Sequence, residues 1–106
     1  MPYIEEKNRI LYNDYINAFE LMHAANVTDG ELNYLVTGIL HAVLTKRGIR
    51  YSNINELIGV LECAKLELYR QLAAPYEDKK KAENGAVSSL DSGYTPEQHR
   101  ALKDAE

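Results

Sequence analysis

The chain has 106 residues, 12 Lys and Arg against 16 Asp and Glu, one cysteine and a formal net charge of -4. This length accommodates one domain, and the negative charge excludes the basic face of a general nucleic-acid binder. A single cysteine excludes an internal disulfide and a multi-cysteine zinc site. No apolar run approaches the ~20 residues that span a bilayer, and no basic-then-apolar leader opens the chain. We therefore expect a soluble cytoplasmic domain with no membrane partner.

The apolar content changes at Pro75. Before it, apolar residues recur at helical spacing, whereas the residues after it are rich in Lys, Glu, Asp, Ser and Gly. This pattern predicts an all-α fold, a small bundle of three main helices with short C-terminal helical segments. We assign residues 1–85 to the helical domain and residues 86–106 to a polar tail with room for one short helix at Thr95. Order in that tail would require docking on its own domain or on a neighbour.

The first predicted helix covers residues 4–25. Pro2 suits a position at the helix start, and Asn26 is a reasonable stop signal. The apolar stripe of this helix consists of residues spaced by three or four, widened by two neighbours: Leu11, Tyr12, Tyr15, Ala18, Phe19 and Met22.

The second predicted helix has the clearest boundaries. Thr28 followed by Glu31 fits a capping box, so the helix opens at Asp29, and Gly48 supplies the stop. Its broad apolar face consists of Leu32, Leu35, Val36, Ile39, Leu40 and Val43.

The third predicted helix begins after Ser52, a good N-cap residue, and ends or kinks at Pro75. A brief helical segment over residues 76–83 follows, and Gly85 stops it. The apolar stripe of the third helix consists of Ile54, Leu57, Ile58, Leu61, Ala64, Leu68 and Leu72.

Three polar residues of the third helix are spaced by seven: Asn55, Glu62 and Tyr69. They form a near-axial row beside the apolar stripe, where a carboxylate is either paired or exposed at the edge of a cleft. One interpretation is a ligand-binding row in which Glu62 accepts hydrogen bonds and Tyr69 donates or stacks, with Arg70 as an anion contact. The other is a structural polar seam in which a Lys or Arg neutralises Glu62.

The second helix carries a different kind of face opposite its apolar stripe. Tyr34 and His41 are seven residues apart, with small residues such as Gly38 between them. Small residues permit the close approach of another helix, either inside the protomer or at a homo-oligomer seam. We assign Tyr34 and His41 as a second set of candidate binding residues.

Nothing in the sequence indicates a metal or cofactor site. His23 and His41 have no partner at ligand spacing, and Cys63 has no histidine at a spacing that suggests a catalytic pair. The lysines at 79–81 lie among acidic residues, which is typical of a solvated helix face. No glycine pattern of a nucleotide-binding loop occurs. We predict no catalytic residue, no metal and no cofactor.

The carboxylates of the helices also bear on one class of enzyme. Small all-α nucleotide pyrophosphohydrolases of the MazG type hold Mg²⁺ with clustered carboxylates on adjacent helices. This chain offers Glu62, Glu67 and Asp78, but Glu62 and Glu67 are five residues apart and diverge by about 140° on an ideal helix. This spacing does not match the carboxylate cluster of the MazG type. A Mg²⁺-dependent hydrolase is the alternative to a binding protein.

Several short segments together resemble a known family. They read GELNY at 30–34, GVLE at 59–62, ELYR at 67–70, PYEDKK at 75–80 and ENG at 83–85, after an MPYI start. In this combination the chain resembles a family of small uncharacterised proteins of phages and bacteria, over about the first 87 residues. Family members are expected to carry an acidic residue after Asn-Gly, where this chain has Ala86. The resemblance implies a helical domain and a phage setting, and no catalytic activity.

We therefore expect a non-enzymatic interaction or small-ligand-binding protein that forms a homo-oligomer. The expected ligand or partner is a protein or a small nucleotide-like molecule, and a phage-encoded chain would act in the host cytoplasm. A structural virion or assembly component is a third possibility, which predicts that residues 86–106 lie across a neighbouring subunit.

Overall fold

The computed structural model of the protein describes residues 2–92, with side-chain exposure described for residues 2–90. Every regular element in this range is helical: α1 (Arg9–Met22), α2 (Asp29–Arg47), α3 (Tyr51–Leu68) and α4 (Ala74–Asn84), with a π-helical segment, Tyr69–Ala73, between α3 and α4. The predicted all-α fold with three main helices and short C-terminal helical segments is confirmed. The helix predicted at Thr95 lies outside the described residues. The chain divides into two units, Met1–Leu66 and Glu67–Glu106.

In the first unit, α1 is shorter than the helix predicted over residues 4–25. A 3-10 turn, Glu6–Asn8, precedes it, and Asn8 provides no side-chain cap. The Arg9 Nε donates a hydrogen bond to the Ile4 carbonyl oxygen at 2.7 Å, which fixes the entering chain outside the helix. At the other end, the His23 N–H donates to the Phe19 carbonyl before the chain leaves helical geometry. The ends indicated by Pro2 and Asn26 therefore lie too far out, because a 3-10 turn precedes α1 and the chain leaves helical geometry after Met22.

The start and end of α2 agree with the sequence prediction. The Thr28 hydroxyl accepts from the Glu31 N–H at 3.1 Å, and the Glu31 carboxylate accepts from the Thr28 N–H at 3.0 Å, which completes the capping box. The same backbone donor lowers the pKa of Glu31 below its ordinary value of 4.5, with a further contribution from the Thr28 hydroxyl. Gly48 ends the helix at a φ of 107°, in the left-handed region that favours glycine.

The start of α3 corrects the prediction that Ser52 is its N-cap. The helix begins at Tyr51, and the Ile54 N–H donates to the Arg50 carbonyl at 3.0 Å. Asn53 makes the stabilising contact at this joint: its Nδ2 donates to the carbonyl oxygens of Gly48 at 2.9 Å and Arg47 at 3.3 Å. These are carbonyls that the end of α2 leaves without helical partners, so one side chain ties the two helices together.

The apolar faces of the first unit are exposed. Among residues 2–90, Leu57 on α3 is the only buried residue, with 8% of its surface exposed. Within the described part of this unit, α1, α2 and α3 do not pack side by side along their lengths. The three helices expected of a bundle are therefore formed, but the lateral packing of a bundle is not made within the described residues of this unit.

In the second unit, the sequence predicts that the third helix ends or kinks at Pro75, and the chain instead stays helical through Pro75 by way of the π-helical segment. Ala74, which precedes it, keeps helical angles of φ -63° and ψ -45°. Proline has no N–H and its ring collides with the carbonyl four residues earlier. Here the chain widens into the π-helical segment, in which the Ala74 N–H donates to the Tyr69 carbonyl, and Pro75 then lies in the first turn of α4, where proline is tolerated. Gly85, at φ 90°, ends α4 as predicted.

The capping box predicts the effect of a single substitution. Thr28→Ala removes the hydroxyl that accepts from the Glu31 N–H, and we expect a loss of about 1 kcal/mol in the free energy of unfolding. Thr45→Ala is the matched control, because the Thr45 hydroxyl donates to the His41 carbonyl inside α2 and caps no helix end. Urea unfolding followed by circular dichroism measures both. Equal effects of the two substitutions would show that the cap does not stabilise α2.

Candidate functional site

Two members of the predicted polar row, Asn55 and Glu62, lie on α3 in the first unit and are exposed. The Lys65 Nζ lies 3.3 Å from the Glu62 Oε1, one helical turn away, and both side chains are more than half exposed. An exposed pair of this kind contributes only about 0–1 kcal/mol to stability. Glu62 is thus an exposed carboxylate paired within its own helix, and both its binding role and its place in a polar seam stay predictions.

The third member of the row, Tyr69, lies at the start of the π-helical segment in the second unit. Its hydroxyl donates a hydrogen bond to the Glu77 Oε2 at 2.7 Å. This bond joins residues on either side of Pro75 and closes over the widened turn. The Glu77 carboxylate raises the pKa of Tyr69 above its ordinary value of 10, first through this hydrogen bond and then through its negative charge.

Sequence reasoning did not identify Glu77 as the partner of Tyr69. The two residues are eight apart in the sequence, whereas side chains that pair along an α-helix are three or four residues apart. Their contact depends on the wider π-helical turn, and the only signal for that turn in the sequence is Pro75.

Arg70, the predicted anion contact, already has a carboxylate partner. Its Nη2 lies 2.7 Å from the Glu67 Oε2, one turn earlier. The Glu67 side chain is the less exposed of the two, at 19%, while Arg70 is 65% exposed. A bound anion would therefore have to compete with Glu67 for the guanidinium group, and the role of Arg70 stays a prediction.

The small face of α2, defined here as Tyr34, Gly38 and His41, is open. Tyr34 is 83% exposed and lies at the edge of a shallow depression, and His41 is exposed as well. A Cβ added at Gly38 would meet no atom within 4 Å. Nearby, the Thr37 hydroxyl donates to the Asn33 side chain at 3.1 Å, which fixes one side of the depression. This face offers a flat approach for another helix rather than an enclosed ligand pocket.

The described residues contain no group of three His, Cys, Asp or Glu side chains that could hold a metal ion. The convergence of carboxylates that a Mg²⁺-dependent hydrolase requires is thus not found in this part of the chain. Cys63 is exposed on α3. None of the described helices is long and apolar enough to cross a membrane.

Comparison with known proteins places the chain in a family. Residues 1–87 match the family model described as a domain of unknown function, DUF6899. The chain belongs to the DUF6899 family. The match covers the four helices and ends just after Gly85, at the length that the sequence resemblance indicated. No curated protein and no solved structure gives a significant match to this chain.

The bond between Tyr69 and Glu77 has a consequence in alkaline solution. The folded protein raises the pKa of Tyr69. The contribution of the Tyr69–Glu77 bond to the free energy of unfolding is therefore fully present below pH 10, and it is lost as the pH rises through the raised pKa. Glu77→Gln removes the negative charge, and we expect the most alkaline tyrosine in an ultraviolet absorbance titration to move back toward 10. Glu83→Gln, in the same helix and paired with Lys80, is the control and should leave the tyrosine titration unchanged. An unchanged titration in Glu77→Gln would contradict the assignment.

Proposed function

We propose that this DUF6899 protein is a non-enzymatic interaction protein that acts as a homo-oligomer. One observation carries the proposal: among residues 2–90, a single side chain, that of Leu57, is buried. A domain that functions alone buries most of its large apolar side chains. Here those side chains are exposed on three helices, as expected of a chain whose hydrophobic core is completed by other subunits.

The lengths of the helices support the same conclusion. The helices α1, α2 and α3 have 14, 19 and 18 residues. Isolated helices shorter than about 12–15 residues are marginal in water, so α1 lies near that limit, and most helix stability in proteins comes from packing an apolar face. One buried leucine contributes about 1.5–3 kcal/mol. That is far less than the roughly 1–2 kcal/mol per residue that fixing the backbone costs when it is summed over three helices. Burial between chains supplies the missing stabilisation.

The small face of α2 is the first candidate seam between subunits. Its glycine and its exposed tyrosine suit close contact with another helix, and nothing in the described residues covers Gly38. The polar row with Asn55 and Glu62 would then mark the edge at which a protein partner or a small nucleotide-like ligand binds. The resemblance to phage and bacterial proteins suggests an accessory role in the cytoplasm of a phage host.

Native mass spectrometry of the full chain, purified under gentle conditions, tests this proposal. We expect a mass that is a multiple of the 12.0 kDa chain, and any retained ligand will appear as additional mass. A bare monomer at micromolar concentration would contradict the proposal.

A substitution at Gly38 tests the seam itself. Gly38→Leu removes a residue that disfavours helices, so within one chain it should raise the helix propensity of α2 by about 1 kcal/mol. At a close seam the added side chain blocks approach, and we expect a smaller oligomer despite the better helix. Gly59→Leu is the control, because Gly59 is equally uncrowded but lies on α3. An oligomer of unchanged mass in Gly38→Leu would exclude the small face as a seam.

A further inference from the structure

We propose that a second copy of this chain covers the apolar surface formed jointly by α1 and α2, with α1 of each copy packed on α2 of the other. This inference rests on the proposed function and assigns an interface on the apolar stripes, separate from the small face of α2. We call this surface the α1–α2 surface. Its members share helical spacing and lie on the apolar stripes of the two helices: Leu11, Tyr12, Tyr15, Phe19 and Met22 on α1, and Leu32, Leu35, Val36 and Ile39 on α2.

The two stripes meet where α1 ends and α2 begins. A concave notch there is lined on one side by Phe19 and Met22 and on the other by Val27 and Leu35. Polar groups, including the Glu31 carboxylate of the capping box, lie at the same notch. The last apolar residues of the α1 stripe and Leu35 of the α2 stripe therefore share one depression.

The size of the surface fits an interface between two proteins. Eight of its nine residues are exposed, and Tyr15 and Met22 expose 66% and 69% of their surface. The eight residues are on average about half exposed. Taking roughly 200 Å² for a large side chain, they present about 800 Å². A standard interface buries about 800 Å² on each partner. An exposed apolar area of this size is typical of a site that binds another protein.

The sequence favours a second copy over the chain's own tail as that partner. The polar tail, residues 86–106, contains only four large apolar residues, Val87, Leu90, Tyr94 and Leu102, too few to cover two helix stripes. A second copy supplies a matching stripe for each helix. With two-fold symmetry, α1 covers α2 of the partner while α2 covers the partner's α1, and the assembly closes.

Cross-linking between differently marked chains tests this arrangement. Both chains carry Cys63→Ser; a tagged chain carries Tyr15→Cys and an untagged chain carries Ile39→Cys. These positions lie near the middle of their helices, so they come close for either relative helix direction. Packed helix axes are about 8–10 Å apart, which a short bis-maleimide spans. We expect a tagged–untagged product as the main species when the two chains are folded together.

The control pair replaces Tyr15→Cys by Asn13→Cys, which lies about 200° away around α1. We expect at least a tenfold lower yield of the mixed product from this pair. Equal yields from both pairs, or none from the Tyr15 pair in a sample that is oligomeric by mass, would overturn this inference and leave the proposed function standing. A monomeric sample would overturn both.

A charge substitution gives a second, independent readout. Tyr15→Glu places a carboxylate in the centre of the α1–α2 surface, whereas Asn13→Glu makes the same change in charge on the opposite face of α1. We expect Tyr15→Glu to yield a smaller assembly by sedimentation with reduced helicity, and Asn13→Glu to match the unmodified protein. Identical behaviour of the two variants would contradict the α1–α2 surface as an interface.

Discussion

The stability of the helices depends on how their apolar faces are covered. Each of the three long helices has a stripe of large apolar residues, and a helix is stable in water mainly when such a stripe is covered. Within the described residues, only Leu57 is buried. In the proposed homo-oligomer, the remaining stripes would be covered between chains. The need to cover these apolar faces links the fold to the proposed function, because a protein whose hydrophobic core is completed by other subunits has to bind those subunits.

Local hydrogen bonds set the ends of the helices, although α1, α2 and α3 do not pack side by side within the described part of the first unit. A reciprocal capping box opens α2, and the Asn53 side chain satisfies carbonyl groups at its end. In the second unit, the π-helical segment accommodates Pro75, and the bond from Tyr69 to Glu77 closes over it. These devices connect residues at most eight apart. They specify where these helices begin and end, whereas in the proposed oligomer the neighbours of each helix would be selected by contacts between chains.

The sequence predicted the elements better than their ends and their partners. Thr28, Glu31 and Gly48 are direct signals of capping and termination, and α2 begins and ends as they indicate. Ser52 looked like a cap, but Asn53 reaches the carbonyls from inside the helix, a contact that depends on the geometry of the joint. Pro75 signalled a break because its usual effect is to end a helix; the π-helical alternative has no sequence signature of its own. The binding roles predicted for Glu62 and Tyr69 stay predictions, because periodicity along one chain does not encode contacts with other molecules.

The central claim is that folding and association are coupled. Thermal unfolding of the full chain by circular dichroism, over a hundredfold range of protein concentration, tests it most directly, because the midpoint of a folded oligomer rises with concentration. We predict a midpoint that increases by several degrees from the lowest to the highest concentration, with helicity falling on dilution. A midpoint and a helical signal independent of concentration, in a sample that sediments as a monomer, would contradict the account.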